Sequence, residues 1–183
     1  MFNREFLLSM DDGFEVIAKI PYRNTIPARY HTASEVATMD FLRKQHELPV
    51  SQVYAWSAEK SNPVGVEYIL MEKASGVKLG DIWCSLKGKQ MLKVITQLVQ
   101  CEAKLLQSPL SHYGSIYFTG FLSDEHLTYP LDNSNRWCIG PIANRSFWHD
   151  GRSGLKINRG PCKHIYNNAD NRVYFKRILF IDK

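Results

Sequence analysis

Residues 6–19 of this 183-residue chain, FLLSMDDGFEVIAK, contain its clearest signal for a local structure. Two β-rich runs, residues 2–10 and 14–22, flank the turn sequence Asp11-Asp12-Gly13. An Asp-Gly pair between two such runs is a strong signal for a β-hairpin. We therefore predict that the chain starts with two antiparallel strands, with Lys19 in the second of them.

A helix and two more strands are predicted after the hairpin. Residues 32–46 repeat apolar side chains at helical spacing, and Thr32 and Glu35 have the spacing of a capping box. Residues 50–57 and 64–71 are β-rich and are separated by a polar turn. The predicted order is strand, strand, helix, strand, strand, which indicates an α+β fold.

The sequence changes character after residue 74. Residues 79–86 predict a short helix, and residues 114–118 predict a strand, whereas residues 119–160 are rich in loop-forming residues and residues 173–181 fit no element. The strongest helix is predicted at residues 87–107 because its apolar side chains recur at helical period. That apolar stripe consists of Met91, Val94, Ile95, Leu98, Cys101 and Leu105.

Composition excludes several classes of protein. The chain is 44% hydrophobic with a mean hydropathy of −0.30, which is typical of a soluble globular protein. It has no apolar run long enough to cross a bilayer, so we expect no membrane span. Its net charge of +5 is scattered, so we expect no nucleic acid partner. The acidic residue Glu5 argues against a transit peptide, and we expect an intracellular protein.

Three features match the nucleotide site of a kinase-like lobe. Such a lobe needs a strand lysine for the phosphates, a helix acid that holds this lysine, and a linker whose backbone meets adenine. Val16-Ile17-Ala18-Lys19 is close to the strand motif, and Glu35 lies on the following helix. Residues 68–74, YILMEKA, supply the linker, where the backbone around Glu72 and Ala74 would pair with adenine.

Each candidate residue also has a purely structural interpretation. Lys19 fits a solvent-exposed lysine on an edge strand, and Glu35 fits a capping acid for Thr32. Glu72 could contribute only its backbone. Two basic residues, Arg159 and Lys163, are more typical of solvated side chains than of catalytic ones. The tryptophans favour packing over base stacking, and they are Trp56, Trp83, Trp137 and Trp148.

Longer segments resemble a known family. Residues 6–19, 33–39 (ASEVATM) and 62–74 (NPVGVEYILMEKA) are similar to fungal members of the aminoglycoside-phosphotransferase-like, or protein-kinase-like, family. This family includes the group named for altered inheritance of mitochondria. The similarity continues through GDIW, GSIY and CIGP to NRGP at residues 158–161, so it covers most of the chain.

The resemblance implies both an architecture and an activity. It implies a kinase-like small lobe in residues 1–74, a connector with the start of a second lobe in residues 75–162, and a divergent tail in residues 163–183. It implies ATP and Mg²⁺ as cofactors, phosphoryl transfer to a small-molecule hydroxyl, and mitochondrial residence. It also favours a phosphate-facing role for Lys19 over the edge-strand interpretation.

The catalytic part of the family pattern is missing from this sequence. Family members carry a glycine-rich loop before the first strand seen here, and a second lobe with a His-Gly-Asp loop and a metal-binding Asn. No histidine of this chain has that context, and the six are His31, His46, His112, His126, His149 and His164. Residues 178–182, ILFID, imitate the strand that ends in a magnesium-binding Asp, but no catalytic loop precedes them. We expect no catalytic and no metal-binding residue.

Two functional hypotheses remain open at this point. The first is an incomplete phosphotransferase that does not transfer phosphate by itself, and the second is a non-catalytic binding or interaction module. In either case we expect Lys19 and Glu35 to face each other. We also expect the apolar stripe to lack a cover, which would favour self-association or chaperone contact, and residues beyond Pro109 to be loosely held.

Overall fold

The computed structural model describes residues 3–22, 27–108, 110–123 and 125–163. It is an α+β fold, as expected, in which two small antiparallel sheets both contact helix α1 (Ala28–Gln45). Two predicted segments lie outside the described residues. They are residues 178–182, which resemble the magnesium-binding strand, and the unassigned residues 173–181. The division at residue 74 stays a prediction, although α1 contacts strands on both sides of it.

The first sheet contains the predicted hairpin. Its strands are β1 (Asn3–Ser9), β2 (Glu15–Pro21), β3 (Val53–Ser57) and β4 (Tyr68–Glu72), in the spatial order β1-β2-β4-β3. At the hairpin turn, Met10 N donates to Phe14 O at 2.8 Å, and Gly13 has a φ of 82°. Glycine adopts a positive φ at no steric cost, which is why the turn forms at this residue.

Strand β4 begins at Tyr68 rather than at residue 64, because Asn62 builds a turn from the residues in between. Asn62 Nδ2 donates to Val66 O at 2.7 Å, and Asn62 Oδ1 accepts a hydrogen bond from Val64 N at 2.8 Å. Gly65, with a φ of 78°, completes the turn. These side-chain bonds compete with strand pairing for the same backbone groups.

Helix α1 begins at Ala28 rather than at residue 32, so the predicted capping box is wrong. The residue before the helix is Pro27, and no side chain caps the first turn. Proline suits a helix start because it has no N–H group to leave unpaired there. Thr32 therefore lies in the second turn, where it is 1% exposed. Glu35 is not a capping acid, and this interpretation of it is excluded.

The second sheet lies inside the stretch predicted to be rich in loops. Its strands are β5 (Ser115–Phe118), β6 (Tyr129–Pro130) and β7 (Trp137–Gly140), in the order β5-β7-β6. The sequence predicted β5 but missed β6 and β7. Two short 3-10 turns, Arg145–Phe147 and Arg152–Gly154, follow the sheet.

The hydrophobic core joins α1 to this second sheet. One cluster contains Ala33 and Tyr117, and a second contains Ala37, Phe41 and Trp137. Tyr117 is fully buried, and its hydroxyl donates to a backbone carbonyl, that of Pro141, at 2.7 Å. This burial argues against a loosely held second sheet, and the expectation for residues beyond Pro109 stays a prediction that hydrogen exchange tests.

The predicted long helix is confirmed, but its apolar stripe is uncovered. Helix α2 (Leu79–Ile82) and a 3-10 turn precede helix α3 (Gly88–Leu106). No residue of α3, which the structure describes in full, is buried. Of the predicted stripe, Ile95 is 47% exposed, Leu98 58% and Leu105 41%. The described helices include none that is both long enough and apolar enough to cross a membrane.

Asp40 of α1 connects the helix to the second sheet through charge. Its Oδ2 accepts from Arg136 Nε at 2.7 Å and from Trp137 Nε1 at 3.2 Å, while its Oδ1 lies 2.8 Å from Lys44 Nζ. The Asp40 side chain is only 18% exposed. Burial raises the pKa of Asp40, but the hydrogen bonds from Arg136 and Lys44 outweigh burial and hold this pKa below 3.8.

We expect Asp40→Asn to lower the free energy of unfolding by about 1–3 kcal/mol, because it weakens bonds to two cations and one indole. The folded-state pKa lies below the unfolded value, so the carboxylate stabilises the fold above about pH 4, and this stabilisation is lost as pH falls through the folded pKa. Urea unfolding at several pH values measures the difference in free energy of unfolding between wild type and variant. Asp81→Asn, at an exposed position, is the control. A difference in free energy of unfolding that stays constant below pH 4 would contradict this role of Asp40.

Candidate functional site

Lys19 and Glu35 form a direct ion pair, as predicted. Lys19 Nζ contacts Glu35 Oε1, and the two side chains are 16% and 26% exposed. The pair joins β2 of the first sheet to α1. Lys19 is not on an edge strand, because β2 lies between β1 and β4, so this interpretation is wrong.

The strand register places apolar side chains beside this pair. Lys19 lies opposite Ile69, and Ile17 lies opposite Leu7 on one side and Met71 on the other. Directly opposed residues of antiparallel strands project from the same face of a sheet. The face that carries Lys19 therefore also carries an apolar surface formed by Leu7, Ile17 and Met71.

Two further ionisable residues lie near the pair. His31 Nε2 is 4.0 Å from Glu35 Oε2, one helical turn before it. Glu5 of β1 lies opposite Lys19 in the strand register. The two carboxylates of Glu5 and Glu35 lie near the single ammonium of Lys19, which limits how strongly this surface could attract an anion.

Glu72 ends β4, and its side chain is occupied. Gln52 N donates to Glu72 Oε2 at 2.9 Å, and Arg43 Nη1 lies 3.5 Å from the same oxygen. Glu72 N also donates to Gln52 O at 2.7 Å. The side chain thus fixes the end of the strand, and because the Glu72 N–H is also engaged, only its carbonyl is left for the predicted backbone role.

The linker that follows β4 is tied back to β2. Lys73 Nζ lies 2.5 Å from Glu15 Oε2. Ala74 is exposed and outside regular structure. Glu72 pairs with Val16 in the ladder, so the linker starts about 10 Å along β2 from Lys19, at roughly 3.3 Å per residue. The backbone of the linker, at Glu72 and Ala74, therefore lies at the opposite end of β2 from the Lys19–Glu35 pair.

The part of the chain that the structure describes contains no group of three or more His, Cys, Asp or Glu side chains able to hold a metal ion. The four cysteines are free thiols. Burial raises the pKa of the Cys138 thiol and of the Cys162 thiol, which keeps both in the less reactive protonated form.

The predictions for tryptophans and for the late basic residues have mixed outcomes. Trp137 and Trp148 pack against other rings, as predicted, but Trp83 is 38% exposed. Lys163 is exposed, as predicted, whereas Arg159 is half-buried and packs against a ring. Its guanidinium carbon lies 4.1 Å from the centre of the Trp148 ring. The only sequence signal for this contact was the family-like segment at residues 158–161.

Curated relatives match most of the chain. The subtelomeric hrmA-associated cluster protein of Aspergillus fumigatus is 44% identical over 162 residues, which cover 88% of this chain and 31% of that protein. Altered inheritance of mitochondria protein 9 of Yarrowia lipolytica is 30% identical over 176 residues, covering 87% of this chain and 30% of the relative. Its namesake in Lachancea thermotolerans is 33% identical over 159 residues, covering 78% and 26%.

These matches support the altered-inheritance-of-mitochondria group. The chain spans about a third of the length of the curated relatives that it matches. The names of the Yarrowia and Lachancea proteins include the word mitochondrial, which supports mitochondrial residence by resemblance. No family model matches the sequence. No solved structure matches it either.

Proposed function

We propose that the chain forms the nucleotide-facing part of a kinase-like phosphotransferase site and does not transfer phosphate by itself. The observation that carries this proposal is the ion pair between Lys19 and Glu35. In kinases, a strand lysine held by a helix acid positions the α- and β-phosphates of the nucleotide. The same pair occurs here on β2 and α1, in the chain order that such a site requires.

The arrangement of the first sheet supports the kinase-like part of the proposal. The order β1-β2-β4-β3 places the lysine strand directly beside the strand that leads to the linker. An adenine ring could lie on the apolar surface of Leu7, Ile17 and Met71 and pair with the backbone near Ala74. The phosphates would then lie toward Lys19.

Charge limits what this surface can do with ATP. Lys19 fits the phosphates of ATP, but its charge is already shared with Glu35. Mg²⁺ fits less well, because the described residues include no cluster of metal-binding side chains. Transition-state charge in phosphoryl transfer is stabilised by metal ions and by preorganised donors. We therefore propose weak nucleotide binding, no turnover, and a mitochondrial location inferred from the relatives.

We expect ADP to perturb the amide signals of Lys19, Met71 and Ala74 when it is titrated into the ¹⁵N-labelled chain. Lys19→Ala should weaken this binding by about tenfold, because it removes a charge-assisted contact to phosphate. Lys60→Ala is a matched control, since Lys60 is an exposed lysine on the turn before β4.

Three outcomes would contradict the proposal. The first is a set of ADP-induced shifts that avoids the first sheet, and the second is an unchanged affinity in the folded Lys19→Ala protein. The third is ATP turnover that survives purification and is abolished by Lys19→Ala, because it would show that the chain is catalytic on its own.

A second candidate function, a non-catalytic interaction module, is favoured by helix α3. Its uncovered side chains include Leu92, Leu98 and Leu106, and exposed apolar surface of this kind marks a contact site. Both functions can coexist, because α3 and the Lys19–Glu35 pair share no residue.

A further inference from the structure

A cavity of about 310 Å³ lies between the loops that follow β5 and β7, and neither Lys19 nor Glu35 lines it. Its volume is near the lower end of the range for small-molecule sites, about 300–1,000 Å³. Leu127, Pro141 and Ile157 give it an apolar wall. Its polar and charged lining comes mainly from His126, Asn158 and Arg159, with Glu125 also present.

The indole of Trp148, which also lines the cavity, is fixed on both faces and at its edge. The ring of Tyr30 stacks on one side at 4.9 Å between centroids, and the Arg159 guanidinium lies 4.1 Å from the Trp148 centroid. Trp148 Nε1 donates to Ile142 O at 2.8 Å. The wall of the cavity is therefore rigid before any ligand binds.

Arg159 is held by neutral groups rather than by a carboxylate. Its guanidinium donates to the backbone oxygens of Phe147 and Leu155, both at 3.3 Å, and to that of Arg152. No acidic side chain within residues 3–22, 27–108, 110–123 and 125–163 forms an ion pair with it. The positive charge is partly buried and is not neutralised by these carbonyls, so it can attract an anion strongly.

His126 is oriented by two partners. Its Nε2 lies 3.0 Å from the Tyr30 hydroxyl, and its Nδ1 lies 3.2 Å from Ser123 Oγ. The ring is thus held at the cavity wall in a fixed position. Glu125 is exposed and carries the opposite charge, so an anion entering the cavity would be directed away from it and toward Arg159.

We propose that this cavity binds a small ligand with one oxyanion, a carboxylate or a phosphate, and an apolar body. The oxyanion is held by the Arg159 guanidinium, and the apolar body lies against Leu127, Pro141 and Ile157. This site is separate from the nucleotide surface and does not depend on it.

The test uses the full isotope-labelled chain and four probes: benzoate, phenyl phosphate, inorganic phosphate and phenol. We expect benzoate or phenyl phosphate to shift the Trp148 indole N–H signal and the Gly160 amide signal, and the stronger of the two identifies the preferred oxyanion. Phenol has the apolar body without the charge, so it should bind at least about tenfold more weakly. Inorganic phosphate, which lacks the apolar body, should also bind more weakly.

Two variants separate binding from bracing of the turns. Arg159→Gln should lower the affinity for the more tightly bound aromatic anion by about tenfold or more. Arg159→Lys, which keeps the charge, should lower this affinity less. Arg145→Gln is the matched control on the adjacent turn and should leave binding unchanged. Lys19→Ala should also leave it unchanged, which separates this site from the nucleotide surface.

The proposal is overturned if phenol shifts the same signals as strongly as the anions, or if no probe shifts them. It is also overturned if the shifts centre on Lys19, or if folded Arg159→Gln binds as tightly as wild type, since Arg159 would then only brace the turns. If Arg159→Gln does not fold, the comparison of phenol with the two aromatic anions on the wild-type chain decides the question.

Discussion

Tyr117→Ala should lower the free energy of unfolding by about 3–5 kcal/mol, the usual cost of removing a large aromatic ring from a core. Tyr117 is fully buried, with its ring parallel to that of Phe121 at 6.1 Å and edge-on to that of Tyr30 at 6.4 Å. The loss is a large part of a typical domain stability of about 5–15 kcal/mol. Urea unfolding followed by circular dichroism would measure it.

Two controls separate the ring from its hydroxyl and from its neighbourhood. Tyr117→Phe keeps the ring and removes only the bond to Pro141 O, so it should cost about 1–3 kcal/mol for the unsatisfied carbonyl. Tyr113 precedes the same strand and is 50% exposed, so Tyr113→Ala should change stability by less than about 0.5–1 kcal/mol. Equal effects of Tyr117→Ala and Tyr113→Ala would show that the core is not where the structure places it.

The amide hydrogens of α3 should exchange at least about a thousandfold faster than those of β7, because opening free energies range from near zero to the global value within one protein. All four residues of β7 are buried, whereas α3 buries none of its residues. Most of the stability of a helix in a protein comes from packing of its apolar face, and α3 lacks this packing. Hydrogen exchange followed by mass spectrometry compares the two elements in one sample.

A pair of substitutions tests what the exposed apolar side chains of α3 contact. Leu92→Lys with Val99→Lys should change stability by no more than about 0.5 kcal/mol each, since both residues are more than half exposed. The pair should also increase the monomeric fraction if copies of the chain associate through this face. Ile139→Lys in β7 is the contrasting control and should unfold the protein. Slow exchange of the α3 amide hydrogens, measured on a dilute monomer, would contradict the conclusion that this helix is uncovered.

Local signals account for the parts of the fold that the sequence predicted. The Asp-Gly pair at residues 12–13 requires few other residues to form a hairpin, and the helical period of α3 is visible without knowledge of the rest of the chain. Strand β7 lacked such a signal. It has only four residues, Trp137–Gly140, and all are buried, so the alternation that marks a half-exposed strand is absent.

The two candidate sites differ in predictability for the same reason. Lys19 and Glu35 belong to short segments that match a known pattern, so the sequence alone predicts that the two side chains face each other. The packing of Trp148 between Arg159 and Tyr30 joins the loops after β7 to helix α1, which is far away along the chain. Neither the composition nor the spacing of these residues predicts this packing, which depends on how the loops after β7 fold onto α1.

Three of the charged connections that helix α1 makes join it to the two ends of the candidate nucleotide surface and to the second sheet, which couples the movements of those two ends. Glu35 holds Lys19, Asp40 holds Arg136 of the second sheet, and Arg43 contacts Glu72 where the linker begins. A tilt of the helix that separates Glu35 from Lys19 would also displace the start of the linker and strain the contact with the second sheet. Any molecule that binds the second sheet and shifts α1 would thus alter the phosphate end and the adenine end of that surface in a single concerted step.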